Sequence, residues 1–147
     1  MNKPKDRGRR GEIFTLTVYE TPVPQGRPRF SRRSGHAYDP KESRAWKNLL
    51  RFSIQQKCGV DNFEPFDKDC ALVLAVVFKL PRPKSVSKEK RPEPTVKPDL
   101  DNLVKPIKDA MNGIVFKDDS QVVEILATKK YVVEKERPSV YIECWSS

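Results

Sequence analysis

The chain predicts an α+β fold: a single domain in the order β-α-β-α-β-β, with a mixed sheet packed by two helices. Three observations lead there. Segments with period-two apolar alternation lie near both ends of the chain, two segments carry apolar residues at helical spacing, and one continuous apolar run of strand length sits between those two. The length, 147 residues, fits one domain whose core needs no disulfides.

Each element has local reasons. "EIFTLTVYE", from Glu12 to Glu20, alternates Phe14, Leu16 and Val18 against Ile13, Thr15, Thr17 and Tyr19, and is rich in β-branched and aromatic residues. The stretch "TPVPQGRPRFSRRSGHAYDP" is broken into a loop by proline and glycine. Asp39-Pro40-Lys41-Glu42 reads as a helix start: Asp39 caps free N–H groups, Pro40 fits the first helical position and Glu42 completes a capping-box-like pattern. Trp46, Leu50 and Ile54, with Leu49 beside them, form an apolar stripe, and Gly59 is the expected stop, so the helix should run from about Pro40 to Cys58. "CALVLAVVFKL", Cys70 to Leu80, reads as a buried central strand. Pro81 to Pro98 is a long, basic, proline-rich loop.

The second helix is expected from Leu100 to Met111, with Leu100, Leu103, Val104, Ile107, Ala110 and Met111 on its apolar face and Asn112-Gly113 ending it. Pro106 falls inside it, where it removes one backbone hydrogen bond, frees the carbonyl of Asn102 and should bend the helix. Val122 to Val133 and Ser139 to Trp145 alternate as strands about a turn near Glu136–Pro138. No internal repeat is present.

The formal charge of +9 and a pI near 9.6 point to a polyanionic partner, although basic charge also serves solubility. Its distribution is uneven. Residues 1–45 carry 11 Lys/Arg against 5 Asp/Glu and residues 81–98 carry 6 against 2, whereas residues 99–147 carry 7 against 9. Residues 1–11 read as a flexible basic arm preceding a domain over 12–147. Arg27, Arg29, Arg32 and Arg33, interleaved with Phe30, His36 and Tyr38, suit a nucleic-acid strand, with guanidiniums on phosphates and rings on bases; a solvated surface loop is the alternative.

No apolar stretch reaches the ~18–20 residues that cross a bilayer, and the basic start lacks the apolar segment of a secretory signal, so a cytoplasmic protein is expected. Cys58, Cys70 and Cys144 form no CxxC pair and read as buried, reduced thiols, not as a zinc site or disulfide framework. A nucleotide cofactor is unsupported, because no GxxxxGK[ST] occurs. With His36 the one histidine, His-dependent nuclease and Ser-His-Asp chemistry have little to work with.

The acids concentrate in "KPDLDNLVKPIKDAMNGIVFKDDSQVV", Lys97 to Val123. Asp99 and Asp101 stand at the helix entry, where capping explains one of them well and both poorly. Lys105 follows Asp101 by four residues on the same helical face, which could be no more than a surface ion pair. Asp118 and Asp119 can be turn residues. But "NGIVFKDD" is long enough to bring the chain back, so that Asp118 or Asp119 lies beside the helix start and three or four carboxylates meet. Such a cluster repels itself unless a cation neutralises it, and oxygen ligands suit Mg²⁺ or Mn²⁺ better than zinc. With a lysine alongside, the arrangement is that of a metal-dependent phosphodiesterase, the basic loops holding the polyanion and the acids the metal.

"DLDNLVKPIKDAM" followed by "FKDDSQVVE", with "GRPRF…HAYDPKESRAWKN" before the first helix, resembles the RusA family of Holliday junction resolvases of prophages and bacteria, from about Glu12 onward. The resemblance implies a homodimer that resolves four-way DNA junctions in recombination and repair by paired symmetric nicks, using Mg²⁺ or Mn²⁺. Carried over by motif, it makes Asp99, Asp101 and Asp119 metal-binding and catalytic, with Asp118 adjacent as a further possible ligand, and Lys105 the catalytic lysine. Arg27, Arg29, Arg32 and Arg33, with Lys84, Lys88, Lys90 and Arg91 of the second loop, would then hold the DNA arms. Two readings compete: a non-catalytic branched-DNA-binding protein whose aspartates are caps and turns, and a nuclease of the same chemistry acting on other branched DNA.

Overall fold

The computed structural model describes residues 12–26, 33 and 40–147 in full, and the backbone alone of 29, 30, 37 and 38. The expected arm over 1–11 and the Asp39 cap lie outside the described residues, as do Arg27, Arg32, His36 and the side chains of Arg29, Phe30 and Tyr38.

Strand β1 (Ile13–Val18) leads through the arginine-bearing loop, where β2 (Arg29–Phe30) and β3 (Ala37–Tyr38) pair as a minimal antiparallel ribbon, to helix α1 (Lys41–Asp61). Then follow β4 (Leu72–Leu80), helix α2 (Leu100–Met111), a single 3₁₀ turn (Asp119–Gln121), β5 (Val122–Tyr131) and β6 (Ser139–Ser146). The four long strands form one mixed sheet in the order β1-β6-β4-β5, antiparallel except for the β4–β5 pair. Beyond the expected elements, the structure adds the β2–β3 ribbon, which two-residue strands are too short to announce.

The core lies between the helices and one face of the sheet. Leu72, Leu74, Val76 and Phe78 of β4 and Val140, Ile142 and Cys144 of β6 are buried there against Trp46, Leu50 and Ile54 of α1 and Leu103, Ile107 and Met111 of α2. Phe14 and Val18 of β1 are buried as their alternation predicts, with Leu16 packed partly against the core. Leu49 departs from the expected stripe. It is 37% exposed, because the helical period carries it off the buried face.

Two helix boundaries differ from expectation. Pro40 occupies the N-cap position of α1 and the helix begins one residue later. Nor does α1 stop at Gly59. It runs on to Asp61, and Asn62 turns the chain in the left-handed conformation (φ 50°), donating its N–H to Gly59 O, while Phe63 N–H reaches Cys58 O at 2.8 Å. Asparagine tolerates that conformation, so the stop moves three residues downstream. Helix α2 ends as expected: Gly113, at φ 80°, lets its N–H turn back to Phe116 O at 2.8 Å.

Cys58, Cys70 and Cys144 are free and buried, as the spacing predicts. Burial pushes the Cys144 thiol up to about 12. Cys144 is therefore expected to resist iodoacetamide at pH 8 in the native protein and to react once denaturant unfolds it. Mass spectrometry of the labelled peptide checks this, and rapid native labelling would contradict the packing around β6.

Candidate active site

Two turns deliver the acidic segment to the sheet. The first is the entry to α2. Lys129 of β5 donates to the carbonyls of Val96 and Pro98 (2.8 and 2.9 Å), tying the end of the proline-rich loop and its cis Lys97–Pro98 bond to the sheet. Asp99 is the N-cap residue in extended conformation, but its side chain makes no capping hydrogen bond. Asp101 sits in the first helical turn, exposed.

Pro106 has a specific consequence. The Asn102 carbonyl that it leaves without a helical partner accepts a 2.7 Å hydrogen bond from the N–H of Gln25. The neighbouring Gly26 N–H donates to Ser43 Oγ of α1 at 2.9 Å, and a Cβ on Gly26 would come within 2.7 Å of Pro40. The root of the arginine-bearing loop is thus clamped between the starts of the two helices.

The second turn precedes β5. Val115 and Phe116 are fully buried, and Phe66 N–H pairs with Val115 O at 2.8 Å, so the return segment is anchored under α2. The following turn is organised by Gln121. Its Oε1 accepts from the N–H groups of Lys117 (2.9 Å) and Asp118 (3.0 Å), while its Nε2 donates to the carbonyls of Asp67 (2.7 Å) and Cys70 (3.1 Å). Buried and fully used, Gln121 bolts the acidic turn to the segment leading into β4.

A groove of about 470 Å³ runs between α2 and β5, lined by Asp101, Lys105, Lys108, Asp109 and Asp119 over an apolar floor of Leu100, Val104, Ile125 and Ala127. The structure therefore brings Asp101, Lys105 and Asp119 to one groove. Asp99 and Asp118 are disposed differently. Asp99, two residues before Asp101 and so on the opposite flank of the helix entry, lines a separate cavity of about 610 Å³ with Pro22, Gln25, Asn102 and Tyr131. The carboxylate of Asp118 accepts a hydrogen bond from the Ser120 hydroxyl, which holds it below its ordinary pKa. Among the described residues, no three Asp, Glu, His or Cys side chains close into a metal-binding group, so the expected meeting of three or four carboxylates is not assembled here.

Sequence reasoning passed over Lys108 and Asp109, although seven and eight residues after Asp101 is the spacing that keeps a residue on one helical face. Asp109 also pairs with Lys47 of α1 at 3.5 Å. Among the expected DNA contacts, Arg33, Lys84, Lys88 and Lys90 are exposed and Arg91 is half-buried. The loop bearing the last four is ordered by Arg82, which lies over the Tyr131 ring at 4.2 Å and donates to the carbonyls of Ser87, Arg91 and Pro92. No helix among the described residues is long and apolar enough to cross a membrane.

Acids and lysines sharing an open groove, with basic loops on the same small α+β domain, define a protein that handles a polyanion. The chain belongs to the endodeoxyribonuclease RusA family, whose model matches residues 20–144, and is by that membership a nuclease. It is also 39% identical over 143 residues to the uncharacterized protein YqaN of Bacillus subtilis (strain 168), an alignment covering 89% of this chain and 94% of the relative.

Replacing Gln121 by Ala leaves four backbone groups without their partner and should cost about 1–3 kcal/mol in urea-unfolding measurements. Pro106→Ala supplies an N–H that competes for the Asn102 carbonyl. The Gln25 amide should then exchange about tenfold faster by hydrogen-exchange NMR, and unchanged exchange would show that the clamp does not depend on the proline.

Proposed function

We propose that this chain is an Mg²⁺-dependent endonuclease that resolves four-way DNA junctions as a homodimer by paired symmetric nicks, acting in the cytoplasm in recombination and repair. The observation that carries the reading is the convergence of Asp101, Lys105 and Asp119 on one groove in a member of the RusA family.

The donor set fits the ion. Among the described residues the groove is lined by carboxylates and by no histidine or cysteine, and Mg²⁺ is commonly held by one or two carboxylates plus water and substrate phosphate, without an all-protein cage. Asp101 and Asp119 would hold it, with Asp99 at the helix entry and Asp118 beside Asp119 as further carboxylates, and when bound it would supply a lowered water pKa and a counter-charge at the leaving oxygen. Lys105, one turn from Asp101 in the same groove, would supply an ammonium to the negative charge that grows on the phosphate during attack. Lys108, almost one turn further, suits the neighbouring phosphate of the same strand. Arg27, Arg29, Arg32, Arg33, Lys84, Lys88, Lys90 and Arg91 would hold the arms by phosphate contacts that weaken with salt.

The placement of Asp99 in a cavity apart from Asp101 and Asp119 gives the ground for a second reading, a branched-DNA-binding protein that does not cut. Cleavage of a labelled synthetic junction decides between them. The wild-type chain with Mg²⁺ should give paired nicks on the junction and none on linear duplex. EDTA should abolish them, and Asp101→Asn or Lys105→Ala should slow them by about a hundredfold or more while junction binding persists. Tight binding without cutting under Mg²⁺ or Mn²⁺ would establish the non-catalytic reading. Equal cutting of flaps and junctions would establish a broader branched-DNA nuclease.

A further inference from the structure

The acidic groove lies on one flank of the α2 entry, and the larger cavity, of about 610 Å³, lies on the other. Six of the residues lining that cavity are prolines, among them Pro22, Pro24, Pro83 and Pro94, joined by Leu80 and Val96. Proline offers a flat apolar face, lacks an N–H and has little side-chain freedom to lose, so the walls are apolar and preformed. They are also fastened. Arg82 lies over the Tyr131 ring at 4.2 Å, and Lys129 donates to the carbonyls of Val96 and Pro98.

Two polar atoms of these walls have no partner. Among the described residues, three buried side-chain atoms lack a hydrogen bond, and two of them, Gln25 Oε1 and the Tyr131 hydroxyl, belong to residues lining this cavity. Tyr131 is 9% exposed. A buried polar atom without a partner is destabilising, and phenylalanine would fill the same space without that loss. Nor is the Gln25 amide committed elsewhere among the described residues: its Nε2 makes a long bond, 3.4 Å, to the adjacent Gly26 carbonyl. An amide and a phenol are thus kept from water beside a preformed apolar recess.

Such a recess suits a planar group with apolar faces and a polar edge. We infer that the cavity receives a nucleobase, unstacked from a DNA strand bound at the α2 entry, with its faces against the prolines and its edge turned to Gln25 and Tyr131. The Gln25 amide offers an acceptor and a donor side by side, and the Tyr131 hydroxyl serves as either, which is what the edge of a base requires. Asp99, in the same wall, repels a phosphate and accepts from base N–H groups. Lys97 lines the cavity but is exposed, and meets the phosphate of the same nucleotide outside.

The location supplies the strand. A helix with its side chains is about 10–12 Å across, or about three nucleotides at the ~3.4 Å rise of a stacked strand. A strand with a phosphate at Asp101 and Asp119 therefore carries a base within reach of the cavity. This step rests on the branched-DNA reading above.

Junction binding without divalent metal tests the pocket apart from cutting. An abasic site is moved one nucleotide at a time across about three nucleotides either side of the crossover, and dissociation constants are read by fluorescence anisotropy. Gln25→Leu, which keeps the backbone N–H bonded to Asn102, and Tyr131→Phe should each weaken binding of the intact junction by about three- to tenfold. At one position the abasic site should weaken the wild type by a similar factor and erase the difference between wild type and both variants. A fluorescent purine analogue at that position should brighten on binding the wild type and less on binding the variants. In the free protein, Tyr131→Phe should leave the urea midpoint unchanged or raise it, because its hydroxyl has no partner to lose. A lowered midpoint, or variants that weaken intact and abasic junctions alike at every position, would overturn the inference. Variants that bind as the wild type does, in a chain that cuts junctions, would remove the pocket alone. The expected pattern in a chain that leaves junctions uncut would keep the pocket and remove the nuclease reading, and a wild type that binds no junction would remove both.

Discussion

The parallel pairing of β4 with β5 is the constraint on which the rest of the structure depends. Two parallel neighbours cannot be joined by a tight turn, so the chain must cross over the sheet between them. Helix α2 makes that crossing, and its apolar face, from Leu103 to Met111, supplies much of the core over the sheet. The groove is the space left where this helix passes above β5. The acidic residues occupy the two ends of the same crossing, Asp99 and Asp101 where the chain enters it and Asp118 and Asp119 where it leaves. One topological requirement therefore supplies both the core and the acidic groove.

A second constraint fixes the basic part of the molecule relative to the acidic part. A carboxylate groove repels DNA unless cationic groups stand close by. The loop that carries the arginines is held at its root by the Gln25–Asn102 and Gly26–Ser43 hydrogen bonds, which join it to the starts of α2 and α1. The proline-rich loop is fastened by Arg82 and Lys129 to Tyr131 and to its own carbonyls. Several basic residues thus build structure, while others, such as Lys84, Lys88 and Lys90, remain exposed.

The open face of the sheet differs from the helix face in chemistry. Lys79 pairs with Glu136 at 2.6 Å and the Tyr141 hydroxyl donates to Glu143, so partly exposed polar pairs occupy positions that are apolar on the other side. These pairs make one face tolerant of water, as an antiparallel-rich sheet allows. At β5 that tolerance fails on both faces, with Leu126 exposed on one and Ile125 on the other. Solvation of these pairs explains the centre of the open face, while the apolar side chains of β5 stand exposed among the described residues.

By itself the sequence determined the elements whose signal is local. The bounds of α2 were legible to the residue because six apolar positions at helical spacing and Asn112-Gly113 agree. The phase of β1 was legible because Phe14 and Val18 alternate with polar residues. Motif also pointed to the RusA family, and that family is the one to which the chain belongs. Where local signals competed, the reading slipped, as with Gly59, which α1 passes through before Asn62 ends it. Tertiary structure decided what depends on distant partners. Gln121 draws on carbonyls 54 and 51 residues away, and Asn102 on an amide far upstream, so no local pattern announces either bond. The strand order, which leaves β5 at the edge, and the opposite orientations of Asp119 towards the groove and Asp118 towards Ser120 belong to the same class. Local periodicity fixes which residues share a face of one element; which faces meet is settled by burial and hydrogen bonding summed over the whole chain.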